Sequence, residues 1–116
     1  MIDIYGIPNC DTVRKARKWL DKNDVEHTFH DFKKAGIDRA SLERWADRVG
    51  WEILLNRRGT TWRKLSDEEK GDVDRDKAID LMQEHPSLIK RPVVEKQKGD
   101  RVLVGFTESE WENALA

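Results

Sequence analysis

The sequence has little of several features that define whole classes of protein. Its 116 residues include one cysteine, three prolines and no long apolar run. One cysteine excludes an internal disulfide and a cysteine-rich zinc site, and it favours a reducing compartment, so we expect the cytoplasm. No apolar stretch approaches the roughly 20 residues of a membrane span, and the N-terminus lacks the segments of a signal peptide. We therefore expect no membrane association.

An excess of charge of one sign is also lacking. The 22 basic and 23 acidic residues give a formal net charge of −1. This balance excludes a basic footprint over the whole surface, so we expect no nucleic-acid partner. The five tryptophans and the regular apolar spacing argue against disorder. The length fits one domain over residues 1–116, and we expect a monomer.

The spacing of apolar residues predicts the order β-α-β, a helical insertion at about 36–88, then β-β-α. A right-handed crossover makes the first two strands parallel, and a hairpin makes the last two antiparallel. These features predict an α/β fold with a thioredoxin-like mixed four-stranded sheet and flanking helices. The predicted strands are 2–5, 25–32, 91–94 and 102–104, and the main helices are 10–22, 38–49, 74–85 and a short one after 107.

Local signals add smaller predictions. Residues 33–36 are predicted to form a turn, and the apolar residues at 53–55 a buried helical turn. Gly50 is a plausible helix C-cap. Capping-box patterns occur at 66–69 and 107–110, and Gly99-Asp100 is a hairpin signal.

The single cysteine lies where the first strand meets the first helix. Free backbone N–H groups and the positive end of the helix dipole lower the pKa of a thiol there. Arg14 and Lys15, within about one turn, can add positive potential, whereas Asp11 opposes it if its carboxylate faces the sulfur. A buried core cysteine is the alternative, but the Pro-Asn-Cys-Asp loop favours a reactive one. We therefore predict Cys10 as the catalytic residue.

Sharper cysteine motifs are absent. Val13 occupies the second position of a Cys-x-x-Cys dithiol, and Ala16 the arginine position of a Cys-x5-Arg phosphate loop. A Cys-His hydrolytic pair would need one of three histidines that carry no local signature. Two of these, at 27 and 30, point to opposite faces of a strand, so we expect no metal site.

Two further segments are candidate binding elements. Arg91-Pro92 precedes an apolar strand, and in a thioredoxin-like fold the loop before this strand abuts the cysteine loop. A cis proline there would offer backbone groups to an extended thiol substrate. Arg57 and Arg58 lie in a basic loop beside Trp62. The planar guanidinium of arginine is suited to binding a carboxylate or oxyanion. A solvated basic loop without a ligand explains the pattern equally well.

Three motifs together resemble the ArsC/Spx family of thioredoxin-like proteins. The run YGIPNCDTVRKA at 5–16 is similar to its cysteine loop, HPSLIKRPVV at 85–94 to its most specific segment, and VGFTE at 104–108 to its final turn. The stretch NRRGTTW at 56–62 points to the YffB subgroup. In order and spacing, the matches cover essentially the whole chain.

The resemblance implies a thioredoxin-like core with Cys10 as redox centre and Arg91 beside a cis Pro92. It also implies substrate contacts by Asn9, Thr12 and Arg14 in the cysteine loop, and by Arg57 or Arg58. The family's arsenate reductases hold arsenate with three arginines. Arg91 matches one, the second maps to 56–58, and the third falls on Phe106, which cannot hold an oxyanion.

The resemblance therefore implies a glutathione-dependent thiol–disulfide reductase with no bound cofactor. Glutathione would be the co-substrate and glutaredoxin a further partner, and the substrate a small-molecule or protein disulfide. One rival is a glutaredoxin-coupled arsenate reductase. A second is an Spx-like regulator that binds RNA polymerase, although Spx proteins generally carry the Cys-x-x-Cys pair that this chain lacks. A third is an inactive scaffold.

Overall fold

The computed structural model describes residues 2–96 and 101–115. Its centre is a four-stranded sheet with strand order β2-β1-β3-β4. Strand β1 pairs in parallel with β2 and antiparallel with β3, which pairs antiparallel with β4. The predicted thioredoxin-like mixed sheet is confirmed, whereas the hairpin signal at Gly99-Asp100 lies outside the described residues. The strands are β1 (Ile2–Gly6), β2 (His27–Asp31), β3 (Val93–Lys96) and β4 (Arg101–Val104).

Helices cover both faces of the sheet. Two of them, α1 and α8, lie on one face, and the helices of the insertion lie on the other. The elements agree with the predicted β-α-β, insertion, β-β-α order. The helices are α1 (Asp11–Lys22), α2 (Phe32–Ala35), α3 (Arg39–Val49), α4 (Trp51–Leu54), α5 (Thr60–Arg63), α6 (Asp67–Lys70), α7 (Arg75–Glu84) and α8 (Glu108–Leu115), with a 3-10 turn at Pro86–Leu88.

Two local predictions are wrong. The expected turn at 33–36 is largely the short helix α2, because the Asp31 carboxylate accepts hydrogen bonds from the backbone N–H groups of Lys33 and Lys34 and starts a helical turn. Ile53, expected to be buried, is 54% exposed. Helix α4 is a single turn with one face toward the core, and Leu54 takes that position.

Two predicted helix-capping signals are confirmed, one at the end of α3 and one at the start of α6. Gly50 follows α3 with φ of 91°, a left-handed conformation that glycine adopts without a steric penalty. At α6, the Ser66 hydroxyl accepts from the N–H of Glu69, and the Glu69 carboxylate accepts from the N–H of Ser66. The side-chain bonds of the capping box at 107–110 stay a prediction.

The sheet separates two apolar cores. The larger lies between the sheet and the insertion, with Trp45 and Leu42 at its centre. The smaller lies under α1 and α8 and holds Trp19 and Trp111. None of the helices in the described ranges is long and apolar enough to cross a bilayer.

A buried ion pair joins the insertion to the sheet. Glu95 in β3 is 1% exposed, and its two carboxylate oxygens accept from Nε and Nη2 of Arg44 in α3 at 2.7 and 2.8 Å. Tyr5 packs nearby, with its ring stacked on His30 and edge-on to Trp45. Burial, followed by the negative charges of Glu95 and Asp3, raises the pKa of Tyr5 to about 12. These contacts fix α3 across the middle of the sheet.

Candidate active site

Cys10 is the residue from which α1 starts. Its backbone is extended, with φ of −95° and ψ of 126°, and its carbonyl accepts the N–H of Arg14 at 2.9 Å as the first bond of the helix. The preceding loop closes through a bond from the Cys10 N–H to the Ile7 carbonyl. The side chain is partly exposed and packs against the larger core. The thiol therefore lies at the positive end of α1 and is open to solvent.

The surroundings of the sulfur stabilise its thiolate. Burial alone would raise the pKa of Cys10, but donors that face the sulfur outweigh this effect and lower the pKa. These donors are the backbone N–H of Val13, the Arg91 side chain and the backbone N–H of Thr12, and the positive charge of Arg91 acts in the same direction. Thr12 and Val13 supply N–H groups that the first turn of a helix leaves unpaired.

Arg91 is held in place by the turn that precedes it. Its Nη1 donates to the carbonyls of Ser87 at 3.1 Å and Ile89 at 3.5 Å. Its Nε is buried and makes no hydrogen bond to an oxygen or nitrogen of the described residues. The buried Nε–H of Arg91 is therefore a donor without an oxygen or nitrogen partner among the described residues, and the guanidinium contributes its positive charge beside Cys10.

The loop at Arg91 and Pro92 faces the cysteine loop with a cis peptide bond. The Pro92 carbonyl accepts the N–H of Gly105 at 2.9 Å, so it already has a partner. The backbone N–H and carbonyl of Arg91, by contrast, make no hydrogen bond with the described residues. Arg91 therefore has one backbone donor and one backbone acceptor without a partner among the described residues at this loop, and substrate contacts by Arg91 and Pro92 stay predictions.

The other residues of the cysteine loop have different surroundings. Arg14 donates to the Asp11 carboxylate, so these two exposed side chains neutralise each other one turn into α1. Asn9 is exposed, and the Thr12 contact to the sulfur comes from its backbone. The sequence-based reading left open whether Asp11 faces the sulfur; in the structure its carboxylate is engaged by Arg14. Substrate contacts by the side chains of Asn9, Thr12 and Arg14 stay predictions.

Arg57 and Arg58 lie in the loop between α4 and α5. The guanidinium of Arg57 lies over the rings of Trp51 and Trp62, 5.4 and 5.9 Å from their centroids. The Arg58 N–H donates to the Asn56 side chain, and the Arg58 carbonyl accepts from Arg63. These contacts hold the loop together without reaching Cys10, so a role for either arginine at the sulfur stays a prediction.

The loop is nevertheless tied to the segment that carries Arg91. The N–H of Asn56 donates to the Leu88 carbonyl at 2.7 Å, and the N–H of Lys90 donates to the Leu54 carbonyl at 2.8 Å. Leu55 and Ile89 form an isolated antiparallel bridge between these bonds. Backbone pairing therefore holds the insertion against the segment before Pro92 at this point.

Phe106 belongs to an aromatic cluster of the smaller core. Its ring lies edge-on to Trp111 at 4.8 Å and to Trp19 at 6.4 Å between centroids. The side chain at this position therefore serves packing, and it brings no positive charge to Cys10. Within residues 2–96 and 101–115, no three His, Cys, Asp or Glu side chains converge as metal ligands would.

Sequence reasoning missed two contributors to the site. The backbone N–H of Val13 faces the sulfur, a role that none of the cysteine motifs assigned to it. The spacing from a helix N-cap to its third residue could have shown this. The Ser87 carbonyl, which positions Arg91, carries no signal of its own in the sequence.

Comparison with known proteins shows the family to which the chain belongs. The ArsC family model matches residues 5–114, and the chain belongs to the ArsC family. The solved structure of the YffB (PA3664) protein is 52% identical, with each chain fully covered and a TM-score of 0.95. An arsenate reductase related protein from Brucella melitensis is 46% identical, covers 97% of this chain and 92% of its own, and has a TM-score of 0.76.

A regulator is also among the relatives. The global transcriptional regulator Spx of Streptococcus pyogenes serotype M3 is 31% identical over 112 residues, which are 95% of this chain and 81% of the regulator. The family expected from the three sequence motifs is therefore confirmed. It includes proteins described as reductase-related and as regulators.

Proposed function

We propose that this protein is a glutathione-dependent thiol–disulfide reductase in which Cys10 is the nucleophile. The observation that carries the proposal is the surroundings of the sulfur. A partly exposed thiol at a helix N-terminus has its pKa lowered by two backbone N–H groups and by Arg91. The lowered pKa increases the fraction of the thiol that is ionised and able to attack a disulfide.

The reaction would proceed by two exchanges. The Cys10 thiolate attacks one sulfur of a disulfide, forms a mixed disulfide with it and releases the other sulfur as a thiolate. When the molecule joined to Cys10 is glutathione, a second glutathione thiolate attacks the sulfur of that bound glutathione. This second step releases oxidised glutathione and restores the Cys10 thiolate. The two exchanges together consume one mixed disulfide of the substrate with glutathione and one molecule of glutathione. They form one free substrate thiol and one molecule of oxidised glutathione.

A second thiol molecule is required because the chain has only one cysteine. The unpaired backbone groups of Arg91 support the substrate assignment, since they offer one donor and one acceptor to a peptide such as glutathione. Glutaredoxin stays a proposed partner, because it could take the role of the second thiol.

The first experiment follows turnover of bis(2-hydroxyethyl) disulfide with glutathione, glutathione reductase and NADPH. The native protein should consume NADPH above the uncatalysed rate, and Cys10→Ser should abolish that excess. Mass spectrometry of the native protein should show a glutathione adduct on Cys10. Full turnover by Cys10→Ser would refute the mechanism.

A second experiment tests the role of Arg91. Arg91→Met removes the charge and the donor, so the pKa of Cys10 should rise and its alkylation by iodoacetamide at neutral pH should slow. Arg91→Lys should retain part of the effect through its charge. Arg14→Met is the matched control, since Arg14 is exposed and already paired with Asp11. Equal effects of Arg91→Met and Arg14→Met would contradict the assignment.

A further inference from the structure

The helix that begins at Cys10 carries an exposed row of lysines. Lys15, Lys18 and Lys22 are spaced by three and four residues, which places them on one side of α1. At 1.5 Å per residue, the row extends for about 10 Å along the helix axis. It starts five residues after the proposed nucleophile, about 7.5 Å further along the axis of the same helix.

The lysines of this row are unpaired within the described part of the chain. None of the three lysines makes an ion pair or hydrogen bond there. The other charges of α1 are arranged differently. Arg14 is paired with Asp11, Asp21 lies 4.0 Å from His27, and Arg17 lies over the ring of Phe29. The three lysines are therefore the charged side chains of α1 that make no ion pair, hydrogen bond or ring contact with the described residues.

The row forms one wall of a groove of about 360 Å³ between α1 and α8. Trp19 and Phe106 contribute apolar surface to the groove, and Glu108 and Glu112 of α8 line it on the opposite side. Phe106 follows Gly105, whose N–H is bonded to the Pro92 carbonyl. One end of the groove is therefore connected to the loop that faces Cys10.

We infer that the lysine row is a docking surface for protein disulfides whose cysteine is flanked by acidic residues. This inference rests on the proposed function, because the docked disulfide would be the one that Cys10 attacks. Opposite charge on the partner would steer the encounter and orient the disulfide toward the N-terminus of α1. The glutamates of α8 repel carboxylates on their side of the groove. The acidic residues of the docked protein therefore contact the lysines of α1.

The test uses three peptides of equal length with one cysteine each, held as a mixed disulfide with thionitrobenzoate. The cysteine is flanked by glutamates in the first peptide, by glutamines in the second and by lysines in the third. The Cys10 thiolate attacks the peptide sulfur, forms a Cys10–peptide disulfide and releases coloured thionitrobenzoate. Single-turnover rates are measured without glutathione, and mass spectrometry identifies the adduct.

With the native protein at low ionic strength, the glutamate peptide should react about 10-fold faster than the glutamine peptide, in the range that steering provides. The lysine peptide should be the slowest. The advantage of the glutamate peptide should shrink as salt is added, because the lysine row is exposed. Equal rates for the three peptides would overturn the docking surface.

The variant Lys18→Glu/Lys22→Glu should bring the ratio of the glutamate to the glutamine rate to one or below. The glutamine peptide gives an internal measure of a folded, reactive Cys10. The control variant Arg48→Glu/Lys64→Glu makes the same change in net charge on exposed residues of the insertion, and it should retain the ratio. A ratio lost equally in both variants would attribute the effect to net charge and overturn the inference.

Two further outcomes distinguish a protein-docking surface from a general polyanion site, and failure of the docking surface from failure of the proposed function. A short DNA duplex should leave the advantage of the glutamate peptide in place at physiological salt. Its suppression by DNA would identify the row as a polyanion site instead of a protein-docking surface. If native Cys10 reacts with none of the peptides and the glutathione assay is also negative, the proposed function itself fails. Activity in the glutathione assay with equal peptide rates refutes the docking surface alone.

Discussion

Replacing Arg44 by methionine should destabilise the fold far more than the loss of an ordinary surface charge. Arg44 is the ion-pair partner of Glu95, whose side chain is 1% exposed in the central sheet. Two hydrogen bonds of 2.7 and 2.8 Å satisfy both carboxylate oxygens. Methionine keeps most of the packing volume of the arginine stem but leaves the Glu95 charge buried without its cation.

The expected magnitude follows from the burial of Glu95. Removing one partner of a buried ion pair costs about 3–5 kcal/mol. The Arg44 side chain is 36% exposed, so water can reach the carboxylate from that side, and we expect about 3 kcal/mol. This is a large share of the roughly 5–15 kcal/mol that stabilises a typical domain.

The measurement is urea unfolding followed by tryptophan fluorescence. The double variant Arg44→Met/Glu95→Leu removes both charges and should be at least about 1 kcal/mol more stable than Arg44→Met. Arg75→Met is the matched control, because Arg75 pairs with the exposed Asp47 at 2.9 Å and should lose about 1 kcal/mol or less. If Arg44→Met loses no more stability than Arg75→Met, the reasoning from burial is wrong.

Three further predictions concern other parts of the molecule. Tyr5 is the single tyrosine, so ultraviolet titration should show one phenol with a pKa of about 12. Because folding raises this pKa from 10.0, stability should fall as the pH rises from 10.0 to about 12; a midpoint near 10.0 would contradict the buried contact. Gly6→Ala places a Cβ 2.8 Å from Cγ2 of Val13 and should cost about 1–3 kcal/mol in urea unfolding, with partial rescue by Val13→Ala; the absence of rescue would rule out this clash. Ser66→Ala removes the cap of α6 and should cost about 1 kcal/mol, whereas Ser66→Asp should not.

The sequence predicted the main elements because their signals are local. The apolar spacing from Val13 to Leu20 requires a helix with one buried face, and all four residues of that face are buried. The change from strand to helix at Cys10 places the thiol at a helix N-terminus in any compact arrangement. Local signals failed at 33–36 and at Ile53, where the Asp31 cap and the orientation of a single helical turn were decisive.

The surroundings of Cys10 depend on contacts between distant parts of the chain. Cys10 and Arg91 are separated by 81 residues, and the sheet order brings β1 and β3 side by side so that their adjoining loops meet. The sequence could place both residues at a common site only through the fold that it resembles. The direction of the Arg91 guanidinium depends on the Ser87 carbonyl, which no spacing rule identifies.

The sequence by itself determined that one thiol lies at the start of a helix, and that any redox cycle needs a second thiol from outside the chain. Only the tertiary structure decided which charges and N–H groups face that thiol. It paired Arg14 with Asp11, placed Phe106 among tryptophans and directed Arg91 toward the sulfur. The physical reason is range: helix and strand signals act over a few residues, whereas the electrostatics of a site depend on side chains brought together by folding.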